Sequence, residues 1–199
     1  MTGNTGTRLY KAGGRLLLLI ARLAALCGGI LLIFLAAMSV VSILGRWLAG
    51  IPPIATTFSW VGTVPGDFEL MEMGNAIAVF LFLPYCQLRY GHVAVDIFIS
   101  PASPRLRALI TLLVNLLFTV VAALMTWRLY LGMEEKVMYG ETTMMLGLPM
   151  WYGFAPSVAM LGFLTVVCSY TVLDAVLGLF RGEDPYSRNR GQDMAATGE

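Results

Sequence analysis

The chain has 199 residues, 58% hydrophobic and only 13% charged, where a soluble domain carries about 25% charge. That composition excludes an ordinary water-soluble fold, and the length suits one compact bundle rather than several domains. A net charge of +1 gives no ground for a nucleic-acid partner.

Met1–Thr7 is polar. Arg8, Lys11, Arg15 and Arg22 follow on one narrow stripe at about 100° per residue, which reads as a basic amphipathic lead-in along an anionic membrane surface. Leu23–Leu44 is uncharged and long enough to cross about 30 Å of hydrocarbon. A secretory signal is the rival reading, but its apolar core runs to only about 7–15 residues, so a retained first span is expected. Arg46 and Trp47 mark its far interface.

Gly50–Asp67 is a loop, broken by Pro52-Pro53 and Pro65-Gly66. Asp67 is expected to cap the second span, Glu69–Leu88, with Glu69 in the first turn, where acid favours the helix dipole. Glu72 and Asn75 lie one turn apart near its outer end. They are either a polar contact for a neighbouring helix or ion path, or groups still wetted at interface depth. Pro84 is expected to kink this helix.

Arg89–Ser103 is a polar turn. Arg89, His92 and Asp96 would share one face of a helix, whereas the alternation of Val93, Val95, Ile97 and Ile99 suits an extended segment. Both forms stay open, and so do two roles: a charged contact point at the membrane surface or an ordinary solvated loop. Ser103 and Pro104 suit the cap and first position of a third helix. Its apolar run, Ala108–Trp127, is expected to extend outward through Glu134, Glu135 and Lys136 and to stop at Gly140. After a short loop, Glu141–Leu148, the fourth span is Met150–Val172, with Trp151 and Tyr152 at the interface. Pro156 lies early in it, and Asp174 and Arg181 mark its inner end.

The expected fold is therefore all-α and integral to the membrane. Four transmembrane helices carry a short interfacial segment between the second and third. The chain divides into an N-terminal interfacial segment (1–22), a four-span domain (23–180) and a polar tail (181–199). Arg8, Lys11, Arg15, Arg22, Arg89, Arg105, Arg107, Arg181, Arg188 and Arg190 are ten of the thirteen basic residues, and they cluster on one side. The positive-inside rule then places both termini and the Arg89–Ser103 turn in the cytoplasm.

Chemistry-bearing patterns are few. Cys27, Cys86 and Cys168 are dispersed in apolar runs, which argues against a disulfide framework or a zinc site. His92 is the only histidine, so paired-histidine haem ligation is excluded. Neither a Gly-x-Ser-x-Gly elbow nor a phosphate-binding Gly-x-x-x-x-Gly-Lys-Ser/Thr loop occurs. No cofactor or metal is expected. The absence of internal repeats counts against a transporter complete in this one chain.

The stretch Leu83-Pro84-Tyr85-Cys86-Gln87-Leu88-Arg89-Tyr90-Gly91-His92-Val93-Ala94-Val95-Asp96 resembles the signature of the small integral-membrane subunit of tripartite ATP-independent periplasmic (TRAP) transporters. The likeness extends to Gly66-Asp67-Phe68-Glu69-Leu70, Gly140-Glu141-Thr142-Thr143 and Leu148-Pro149-Met150-Trp151. The resemblance implies a bacterial inner-membrane protein that scaffolds a large multi-span subunit, with a periplasmic binding protein delivering an organic acid for uptake driven by an ion gradient, usually sodium. Candidate contact residues for these partners and for lipid are Arg89, His92, Asp96, Glu72, Asn75, Glu134, Glu135, Glu141 and Trp151. The residues alone also admit a small four-span enzyme or quinone-linked electron carrier, or an unrelated assembly protein.

Overall fold

A computed structural model describes residues 3–51, 62, 64–89 and 104–181. Its four helices are α1 (Gly3–Ala49), α2 (Asp67–Leu88), α3 (Pro104–Tyr139) and α4 (Trp151–Arg181). All four contain a stretch long and apolar enough to cross a membrane. Among the described residues the extended structure is one isolated bridge, Thr142 to Pro149.

The basic lead-in and the first span form one unbroken helix. No strong breaker intervenes: Gly13 and Gly14 each cost about 1 kcal/mol in a helix interior, which neighbouring Leu and Arg residues tolerate. The second helix corrects one expectation. Asp67 is its first residue rather than its cap, and Gly66 caps it in the left-handed conformation with φ 72°. Glycine suits that backbone, and a Cβ there would also strike the Leu146 side chain at 2.3 Å. Pro84 is accommodated inside α2 and is buried.

The third helix begins at Pro104 and ends at Gly140, as the pattern suggested. Gly140 has φ 61°, its N–H donates to the Val137 carbonyl, and the Glu141 N–H donates to that of Lys136. These two bonds form a Schellman motif, which satisfies carbonyls that a helix end otherwise leaves bare. The fourth helix ends at Arg181, one of the two residues expected at its inner end; the other, Asp174, lies within the helix and is buried, and the apolar residues Ala175, Val176, Leu177 and Leu179 follow it.

Packing runs from α1 to α2, from α2 to α4 and from α4 to α3, so α1 and α3 each have one extensively packed neighbour. At the α1–α2 seam Gly74 lets the helices approach closely, since a Cβ would lie 2.7 Å from a Leu35 methyl. The apolar centre lies at the α3–α4 seam, where Ala122, Leu161, Leu164 and Cys168 are buried with Phe80, Leu83 and Leu129 against them. The Thr126 and Thr165 hydroxyls meet across this seam at 3.1 Å.

Candidate functional site

Polar groups within and beside the apolar helices fall into three sets, and the first two are bonded within the chain, Asn115 Nδ2 apart. At the start of α2, the buried Asp67 carboxylate accepts from the Ser42 hydroxyl at 2.5 Å and from its neighbour's N–H, that of Phe68, at 2.9 Å. The Arg46 guanidinium stands 3.5 Å from the same carboxylate and 5.8 Å from the Phe68 ring centre. One turn on, Glu69 holds the α3–α4 loop: its two oxygens accept from the Met145 and Leu146 N–H groups at 2.6 and 3.0 Å. The loop is also closed on itself, with the Thr143 N–H on the Leu148 carbonyl and the Met150 N–H on that of Glu141.

The second set ties three helices together at the other end of α2. Gln87 Nε2 donates to Asn115 Oδ1 of α3 at 3.1 Å and to Thr171 Oγ1 of α4 at 3.2 Å. All three residues are almost fully buried. Thr171 passes the chain on to the Cys168 carbonyl at 2.9 Å.

The third set finds no partner among the described residues. Glu72 and Asn75 are exposed, on the face of α2 that also shows Phe68, Ala76 and Val79. Neither has a hydrogen-bond partner among the described residues. Glu72 lines a half-open groove of about 590 Å³, together with Met73, Ala76 and Phe80 of α2, Leu129 of α3, Gly153, Phe154 and Ser157 of α4, and the 141–144 loop.

The other sequence candidates are scattered. Glu134 accepts from the Tyr130 hydroxyl at 2.9 Å, and Glu135 is exposed. Glu141 pairs with Lys136 at 2.6 Å and borders the groove. Trp151 opens α4 with its ring edge-on to Tyr152, centroids 4.5 Å apart. Arg89 ends α2, its guanidinium 5.6 Å from the Tyr85 ring centre. His92 and Asp96, like Ser103 and the rest of their turn, lie outside the described residues. Sequence reasoning missed Ser42, Gln87, Asn115 and Thr171. Asn115 stood out in principle, as a lone amide in the apolar run from Ala108 to Trp127.

A chain of four apolar helices whose polar groups are mostly locked between them is a multi-pass membrane protein. Residues 59–178, more than half of the chain, match the family model described as tripartite ATP-independent periplasmic transporters, DctQ component. The chain belongs to that family, the small membrane component of TRAP transporters. No curated protein and no solved structure matches it.

Proposed function

We propose that this subunit is the fixed scaffold of its transporter in the bacterial inner membrane. It holds a large multi-span subunit in place while that subunit carries an organic acid inward on an ion gradient, usually of sodium. A periplasmic binding protein delivers the solute to the α3–α4 loop side, where Glu134, Glu135 and Glu141 help to dock it. Both termini are cytoplasmic. The Arg89, His92 and Asp96 turn makes a second contact, with the large subunit or lipid headgroups, on the cytoplasmic side.

The observation that carries this reading is the interlocked packing of α2, α3 and α4. Gln87 reaches two other helices at once, and Glu69 fastens the loop across the start of α2. Such cross-links suit a part that stays still while another moves.

The test is uptake in proteoliposomes containing the large subunit with and without this chain, supplied with the binding protein and a sodium gradient. Uptake is expected only when both membrane subunits are present. Any uptake remaining at reduced assembly should keep an unchanged apparent affinity for the solute. Full uptake by the large subunit and binding protein alone would overturn the scaffold reading.

A further inference from the structure

The third polar set carries an inference beyond scaffolding in general. With 22 residues, α2 is about 33 Å long at about 1.5 Å per residue, scarcely more than the roughly 30 Å hydrocarbon core. Glu72 lies about 7 Å along the helix from its first residue, and Asn75 about 12 Å. Both are exposed, and Glu72 shares its groove with Gly153, Phe154 and Ser157 of α4.

A carboxylate facing lipid within a span is disfavoured, and acids in spans turn toward protein or pair with a cation. The chain supplies no cation to Glu72 among the described residues. Its acidic neighbours are already committed: Asp67 to Ser42 and Arg46, Glu69 to two loop amides, and Glu141 to Lys136. The groove is thus negatively charged at Glu72 and mostly apolar elsewhere. That combination suits a long cationic side chain, whose methylene stem lies along Met73, Ala76 and Phe80 while its head meets the carboxylate. Asn75 offers a carbonyl one turn away on the same face, which the fork of an arginine can reach as well.

We propose that the exposed face of α2 that carries Glu72 and Asn75 seats one transmembrane helix of the large subunit, and that this helix places an arginine or lysine in the groove against Glu72. The proposal rests on the scaffold reading and names its contact. An ammonium lipid headgroup would offer the same charge but not a methylene stem to lie along Met73, Ala76 and Phe80, and the experiment separates the two.

The experiment co-expresses the full chain with its large subunit and measures recovery of the complex through a tag on this chain. Wild-type chain that fails to recover the large subunit would sink the scaffold reading and the contact together. With wild-type recovery established, Glu72→Lys should lower it roughly tenfold or more, as expected when a desolvated charge pair is broken. Glu72→Gln, nearly isosteric, should lower it by less, and it decides the matter if Glu72→Lys does not fold. One Arg or Lys to Glu exchange in a helix of the large subunit should restore recovery of Glu72→Lys. Wild-type recovery with both variants would overturn the contact and leave the scaffold reading standing. So would native mass spectrometry in which the variants lose a bound ethanolamine lipid but keep the large subunit.

Discussion

The first and fourth helices are both strongly apolar, and they are held in opposite ways. The more hydropathic of the two is α1, yet only 11% of its most apolar window is buried, against 39% for α4. In water the more apolar helix would be the more central. In a bilayer lipid solvates apolar side chains as well as protein does, so hydropathy no longer decides position. Close approach and hydrogen bonding decide it instead. The fourth helix carries Thr165, Cys168 and Thr171 into contacts with its neighbours. The first offers a small-residue seam and polar links from Ser42 and Arg46 to the single carboxylate of Asp67.

The contrast breaks most readily at Gly74. In Gly74→Leu the new side chain begins 2.7 Å from a Leu35 methyl, and overpacking of this kind costs about 1–3 kcal/mol. The loss should appear as easier unfolding in a detergent titration, confined to the attachment of α1. A disulfide between Thr126→Cys and Thr165→Cys, spanning the α3–α4 seam, should still form at the rate it shows with Gly74 kept. If that rate falls as well, the two seams are not independent.

The buried amide network sharpens the comparison from the other side. Gln87→Leu strands Asn115 Oδ1 and removes a bond to Thr171, at a cost of about 1 kcal/mol for hydrogen bonds inside a membrane protein. Asn115→Leu should cost less. It removes a side chain whose Nδ2 has no partner among the described residues, and it leaves the Gln87 bond to Thr171 in place. Equal costs in the same titration would mean that Asn115 is bonded more fully than the geometry indicates.

The smallest effect is expected at the loop. Glu69→Gln keeps the shape but weakens acceptance from the Met145 and Leu146 N–H groups, because a neutral acceptor binds less strongly than a charged one. Global stability should stay near wild type, while a reporter Met145→Cys should react faster with a soluble thiol reagent. An unchanged labelling rate would show that the Thr143 and Glu141 backbone bonds hold the loop without Glu69.

The amino-acid sequence by itself determined the number of apolar helices and several of their limits. Pro104 and Gly140 bound α3 through local backbone rules that need no neighbour. Composition alone placed the chain in a bilayer. The run from Leu83 to Asp96, with its companion pieces, carried the family likeness that the match over residues 59–178 then established. Only the tertiary structure decided which polar residues are occupied and which are left over. Glu69 and Glu72 are both acids near the start of α2, and nothing local distinguishes their roles. The α3–α4 loop, arriving from more than seventy residues away, claims Glu69. Glu72 remains exposed, without a hydrogen-bond partner among the described residues. Long-range packing sets that division, so it is written in no short stretch of the sequence.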